Sequence, residues 1–270
     1  MSASDNSFVG PIPDLYDRLF VPLIFETYAD DLADRVAKLA PGDVLELAAG
    51  TGALTRAMAV RLPPDVSIRA TDINQPMLDR AQARQASDTR ITFAQSDAME
   101  LSSADAAFDV VACQFGVMFF PEKVRAYSEA RRVLRPDGHL LFNVWDTLAF
   151  NDFAATVTEA LATLFPEDPP LFMARIPHGY NDTAHIRGEL TAAGFGSVSI
   201  ETISRRSHGR SAREVALTYC QGTPLRAEIE ARRPGGLEQA TDHATAVLER
   251  RFGSGPIEGA IQAIIVGAVA

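Results

Sequence analysis

A chain of 270 residues can bury one large core and leaves room for an elaboration upon it. Its 35 acidic residues against 25 Lys and Arg give a formal charge of −10, and neither Arg205-Arg206 nor Glu249-Arg250-Arg251 makes a basic stripe, so a nucleic-acid partner is not expected. Two cysteines, Cys113 and Cys220, and an N-terminus MSASDNSFVG without the basic and apolar regions of a secretory signal point to a reducing, cytoplasmic setting.

Apolar runs of strand length alternate with helical patterns from about residue 27 to 200, the mark of a parallel sheet wrapped by helices. Upstream, YDRLFVPLIFETYA (Tyr16 to Ala29) reads as an amphipathic helix that either packs on the sheet or closes over a ligand as a lid. Over 27–39, Tyr28, Leu32, Val36 and Leu39 form one apolar helix face, which Pro41-Gly42 ends; a strand at 44–48 follows. A helix from near Thr51 to Leu62 stops at Pro63-Pro64, and a strand at 66–71 is closed by Asp72. Pro76 opens a helix over 77–85, followed by strands at 90–94 and 108–112. A helix from Pro121 to Leu134 leads through the turn Pro136-Asp137-Gly138 into a strand at 139–145.

Beyond Trp145 the rhythm breaks. A helix at 152–164 runs into the proline-rich loop 165–170, and Asp182 or Thr183 caps a helix ending at Ala193. A strand at 198–203, helices at 211–233 and 237–252 and a strand at 258–269 complete the chain. The final run AIQAIIVGAVA is shorter than the roughly 20 residues of a membrane span, so no integral membrane segment is expected. The division that results is 1–40 N-terminal helices or lid, 41–150 core, 151–181 cap insertion, 182–206 core, 207–255 second cap segment and 256–270 terminal core strand.

The segment Val44-Leu45-Glu46-Leu47-Ala48-Ala49-Gly50-Thr51-Gly52 is a hydrophobic strand running into a small-residue turn at a helix start. Such a turn lets a ligand approach the backbone, and the helix N-terminus offers unpaired N–H groups to a carboxylate or phosphate. Nicotinamide binding is one reading, but the dinucleotide fingerprint would place Thr55 where its third small residue belongs. Asp72 suits the ribose diol of either cofactor.

Further acidic and polar residues end the later strands: Asp97 in FAQSDAMEL and Gln114 in FDVVACQFGVMFFPE, followed by RRVLRPDGHLLFNVWD. In this order, from about Pro41 to Asp146, the segments resemble the class I S-adenosylmethionine-dependent methyltransferases, particularly relatives of the ubiquinone and menaquinone biosynthesis enzymes. The resemblance implies a doubly wound, Rossmann-like α/β fold with a mostly parallel seven-stranded sheet, an antiparallel last strand and a helical cap. It also implies S-adenosylmethionine as cofactor, released as S-adenosylhomocysteine, and methyl transfer to a small molecule. Gly50 and Gly52, with Thr51 between them, would surround its methionine portion, Glu46 would order the loop, and Asp72 would hold the ribose. Ile73 and Met77 would pack near the adenine, Asp97 would accept from its amino group beside Ala98 and Met99, and the Gln114 carbonyl would meet the ammonium. Ala48 stands where the family has its first loop glycine, a change that a negative φ accommodates. Taken singly, Asp97 also reads as a turn cap, and Met77 and Met99 as core. Asp72, at a strand end beside a crevice, is expected to be solvated when no cofactor is bound.

Methyl transfer needs an electron-rich atom positioned in a dry pocket, and phenols, amines and carbon acids must also lose a proton. His178 and Tyr180 in RIPHGYND and His208 after the sixth strand are the candidate bases, while His139 and His185 read as structural or solvated. Tyr16, Phe20, Phe115 and Trp145 are candidates for the acceptor pocket. The phenylalanine-rich edges at Phe115, Phe119, Phe120, Phe150, Phe153 and Phe172 point to an apolar or aromatic acceptor. No metal site is expected, and a homodimer is left open. A nicotinamide-dependent oxidoreductase and a non-catalytic S-adenosylmethionine-binding protein are the rival functions.

Overall fold

The computed structural model describes Phe8 and residues 10–270. Seven strands form one sheet in the order β3-β2-β1-β4-β5-β7-β6. They are β1 (Asp43–Glu46), β2 (Ser67–Asp72), β3 (Ile91–Gln95), β4 (Phe108–Gln114), β5 (Leu134–Trp145), β6 (Ser197–Gly209) and β7 (Ile257–Val269). β1 runs parallel to β2 and β4, β2 to β3, and β4 to β5. β7 is antiparallel to β5, because the Ala270 N–H reaches Gly138 O at one end and the Asp146 N–H reaches Gln262 O at the other. It is antiparallel to β6 too: Gly196 N–H meets Val269 O, and Ser204 Oγ donates to Gln262 Oε1.

The chain divides into two units. One contains Glu26–Val144, Asn181–Ile203 and Ile264–Ala270; the other contains the described residues up to Phe25, Trp145–Tyr180 and Ser204–Ala263. In the first, α2 (Glu26–Lys38) and α3 (Ala53–Arg61) cover one face of the sheet. Leu32 and Val36 of α2 and Leu54 and Met58 of α3 are buried with Val44, Ile68 and Val110, each such side chain contributing about 1.5–3 kcal/mol by leaving water. α4 (Gln75–Gln85), α5 (Lys123–Val133) and α8 (Thr183–Ala192) complete this unit. Asp182 caps α8, accepting from the Ala184 and His185 N–H groups, and Gly194 beyond its end has φ 93°. At the amino ends of the strands, Asp109 Oδ2 accepts from Gly42 N at 2.8 Å and Asp43 N at 2.9 Å, and Arg135 bridges Asp109 and Asp43.

The second unit contains α1 (Ile12–Leu15), a π-helical segment Tyr16–Phe25, α6 (Asp152–Leu164), α7 (Phe172–Arg175), α9 (Ala212–Gln221), α10 (Leu225–Arg232) and α11 (Leu237–Phe252). An α-helix is expected over Tyr16–Phe25; Pro22 inside it removes an N–H, and the ladder there is the wider i→i+5 one. Asn151 ties the start of α6 to β7, its Nδ2 donating to Thr147 O and its Oδ1 accepting from Gln262 N.

Several boundaries differ from expectation. β5 begins at Leu134, so Pro136-Asp137-Gly138 lies inside the strand as an irregularity, with Asp137 left-handed at φ 63° and the register jumping from Phe108↔Leu134 to Val110↔His139. The helix expected from Pro121 starts at Lys123. The single helix expected over 211–233 is α9 and α10, separated where Gly222-Thr223-Pro224 stops the first and opens the second. β6 continues well past Ile203, and the short α7 has no counterpart in the periodicity. No described helix is long and apolar enough to cross a membrane.

Candidate functional site

The carboxyl ends of β1 to β4 lie side by side, since Glu46 is in register with Ala70 and Ala112, and Asp72 with Gln95. An open parallel sheet binds ligands outside these ends. The turn after β1 is held from both sides, Leu47 N–H on Ala112 O at 2.8 Å and Ala49 N–H on Thr71 O at 2.9 Å. Between those anchors Ala48 takes φ 52°, which corrects the expected negative φ. A methyl-bearing residue here carries strain on the order of 1–2 kcal/mol. Gly50 at φ 57° and Gly52 at φ 80° continue the left-handed turn, and a Cβ on Gly52 would stand 3.1 Å from Ala81 Cβ. Thr51 between them is buried, and its Oγ1 has no hydrogen-bond partner among the described residues.

Two carboxyl groups support the turn. Glu46 is fully buried, and Thr55 Oγ1 donates to its Oε2 at 2.6 Å. Burial pushes the Glu46 carboxyl up to about 8, against the opposing pull of Thr55 and Arg56. Asp72 is 7% exposed rather than solvated, because its carboxylate is folded into the turn: Oδ2 accepts from Gly50 N and Oδ1 from Asn74 N, both at 2.8 Å. Burial raises its carboxyl above the usual range, while the N–H groups of Asn74 and Gly50 lower it. Beyond Asp72, Ile73 is half exposed and Met77 is buried, its Cε 3.6 Å from where a Cβ on Gly50 would be. Asp97 Oδ1 accepts from Met99 N at 2.8 Å, so Asp97 does cap the turn containing Ala98 and Met99, both half-buried, and its second oxygen is the one left for another donor.

At the end of β4, Gln114 precedes Phe115, a residue at φ 50° whose N–H is shared by Asn143 Oδ1 at 2.9 Å and Asn143 O at 3.2 Å. Asn143 on β5 is completely buried, and reading by segments missed it because nothing in LLFNVWD marks it apart from being polar within an apolar strand. Phe115 packs edge-on to Tyr28 at 5.5 Å, in this first unit. Tyr16, Phe20 and Trp145 fall in the other.

There the rings form a cluster. Tyr16 stacks on Phe25 at 5.1 Å and meets Phe20 edge-on at 5.4 Å; Phe20 also meets Phe25 and Tyr219, and Phe25 meets Trp145. Phe25 and Tyr219 were not singled out from sequence. His178 lies 6.1 Å from Trp145, buried, with Nδ1 2.7 Å from Asp146 O. A carbonyl only accepts, so Nδ1 carries the hydrogen and Nε2 the lone pair. Burial lowers the His178 ring to about 4, against the opposing pull of Asp146, which leaves it neutral at pH 7. Tyr180 is buried two residues on. His208 is not brought to this cluster: it projects from β6 at 69% side-chain exposure and faces Glu258 at 3.4 Å, because the longer β6 carries it onto the solvent side.

A family model described as a methyltransferase domain matches residues 44–138. The ubiquinone/menaquinone biosynthesis C-methyltransferase UbiE of Burkholderia mallei is 31% identical over 172 residues, 60% of this chain and 71% of that protein. The demethylmenaquinone methyltransferase of Lactobacillus johnsonii is 39% identical over 105 residues, and the match spans 43% of its length. Among solved structures, the YcgJ protein of Bacillus subtilis superposes with a TM-score of 0.55 at 18% identity, covering 90% of this chain and 98% of that one. Phosphoethanolamine N-methyltransferase 2 of Haemonchus contortus, solved with S-adenosyl-L-methionine, has a TM-score of 0.54 at 15% identity, covering 97% of this chain and 60% of that one. With this sheet order and these relatives, the chain belongs to the class I S-adenosylmethionine-dependent methyltransferases, enzymes that transfer the cofactor's methyl group to an acceptor.

Proposed function

We propose that the chain methylates an apolar aromatic acceptor of the hydroquinone or phenol class, with the turns after β1, β2, β3 and β4 holding the cofactor and the ring cluster of the second unit holding the acceptor. The observation carrying the acceptor is that cluster, Tyr16, Phe20, Phe25, Trp145 and Tyr219, whose ring faces and edges suit a flat apolar molecule. The names of the quinone-methylating relatives support the same class.

Two features of the turn support this assignment: a buried Thr51 hydroxyl with no partner among the described residues, and left-handed glycines that bare the backbone. When bound, S-adenosylmethionine supplies an electrophilic methyl group on a sulfonium. Glu46, through Thr55, keeps the turn in place. Asp72 Oδ2 uses one lone pair for the Gly50 N–H and retains one for a ribose hydroxyl, while Oδ1 accepts from both the N–H and, at 3.3 Å, the Nδ2 of Asn74. Asp97 would accept from the adenine amino group with the oxygen that Met99 does not use, and the Gln114 carbonyl would meet the ammonium. Ile73 and Met77 would flank the ring.

On the acceptor side, His178 presents an unprotonated Nε2 in a buried, ring-lined setting, and we assign it the proton that the acceptor loses. Tyr180 would orient the acceptor beside it. Free, buried Cys113 and Cys220 support a reducing, cytoplasmic site of action. The test is transfer of labelled methyl from S-adenosylmethionine to a short-chain demethylmenaquinol and to simple phenols. Activity is expected, with His178→Gln lowering kcat about a hundredfold and leaving S-adenosylhomocysteine affinity unchanged. Turnover of amines alone would overturn the acceptor class, and unchanged kcat in His178→Gln would overturn the base.

A further inference from the structure

We propose that Gly116 is a positioning residue for the cofactor turn, its missing side chain being the hole that receives the Ala48 methyl, so that residues 48 and 116 share what a glycine at 48 would do alone. Gly116 has φ −100° and ψ −35°, a conformation open to any residue, so its backbone does not demand glycine. Space does. A Cβ at 116 would stand 2.5 Å from Ala48 Cβ and 2.7 Å from Cys113 Sγ, well inside the separation of about 3.5–4.0 Å at which carbon atoms rest.

Neither wall of this contact can yield. On one side, Leu47 and Ala49 are bonded to Ala112 O and Thr71 O, which clamps the peptide carrying Ala48. On the other, Phe115 is pinned by Asn143 Oδ1 and packs on Tyr28. Ala48 already sits in the left-handed region at φ 52°, so it has little freedom to turn its methyl elsewhere. Displacement of Ala48 would pass along the turn to Gly50, whose N–H is bonded to Asp72. Gly116 therefore acts through Ala48 on the groups assigned to the cofactor, and the inference rests on that assignment.

The test is a double-mutant cycle in a Cys113→Ala background, which removes the second clash. Four proteins are compared: this parent, and the parent carrying Ala48→Gly, Gly116→Ala or both. S-adenosylhomocysteine affinity is measured by calorimetry, and apo stability by chemical denaturation. Gly116→Ala should weaken S-adenosylhomocysteine at least tenfold when residue 48 is Ala and less than threefold when it is Gly. A Gly116→Ala effect below twofold, or one of equal size with Gly at 48, overturns the pairing. If Gly116→Ala does not fold, recovery of folding in the combined variant supports the pairing, and failure of both overturns it. If the folded parent does not bind S-adenosylhomocysteine, the cofactor assignment is what fails, while the denaturation cycle still decides the pair.

Discussion

In the unit containing β1 to β4, the candidate site is made of backbone: left-handed Ala48, Gly50, Gly52 and Phe115, and peptide N–H groups directed at buried carboxyl groups. In the other unit it is made of rings, Tyr16, Phe20, Phe25, Trp145 and Tyr219, with one neutral imidazole. The first kind of site is intolerant of added atoms, because a turn has one allowed path; the second depends on volume and on water exclusion, which several side-chain sets can supply.

The sharpest way to break this contrast is Gly52→Val. With φ 80° and Ala81 Cβ 3.1 Å from the new branch point, it should cost at least about 3 kcal/mol and abolish measurable S-adenosylhomocysteine binding. Denaturation and calorimetry read both effects, and a variant that still binds normally would mean the turn is softer than its geometry implies. Asp72→Ala comes next. Gly50 and Asn74 lose their acceptor, so apo stability should fall by about 2 kcal/mol and cofactor affinity at least tenfold. Loss of affinity with unchanged stability would show that the carboxylate is not part of the folded turn.

The pH dependence separates the units by sign. Glu46, raised from 4.5 to about 8, contributes stability that is complete below about pH 4.5 and is lost as pH rises through about 8. His178, lowered from 6.5 to about 4, contributes stability that is complete above about pH 6.5 and is lost as pH falls through about 4. Each slope is at most about 1.4 kcal/mol per pH unit. Denaturation midpoints across pH 4 to 9 should lose the alkaline decline in Glu46→Gln and the acid decline in His178→Gln. Profiles that superpose on the parent would contradict the burial of both groups. The smallest effect belongs to His208→Gln, within about 0.5 kcal/mol and without loss of kcat, since the ring is exposed; a clear fall in kcat would restore it as a candidate base.

The same contrast explains what the sequence disclosed. The strands and helices from β1 to α4 follow from periodicity and from proline and glycine punctuation, and the polar residues Glu46, Asp72, Asp97 and Gln114 fall at strand ends by spacing alone. The conformation of Ala48 was not legible, because it depends on Gly116, far along the chain. Asn143 was missed for the same reason, its role being a bond to Phe115, just past the end of another strand. Burial of Asp72 follows from Gly50 in the neighbouring turn, which no pattern around Asp72 reports. The ring cluster draws on residues as distant as Tyr16 and Tyr219, joined through Phe20, and only Tyr16, Phe20 and Trp145 carried any local signal.

The strand order β5-β7-β6 has a consequence for synthesis. β6 leaves the ribosome before β7, yet β7 is its one neighbour in the sheet, so the whole of Ser197–Gly209 waits while α9, α10 and α11 are made. Until Ile257–Val269 arrives, β5 has an open outer edge and β6 has two, each able to template pairing with another nascent chain. β7 therefore works as a keystone: its insertion closes the outer edge of β5 and one of the two edges of β6 in one late event, and a ribosome stalled before Ile257 would release a chain with its sheet still open.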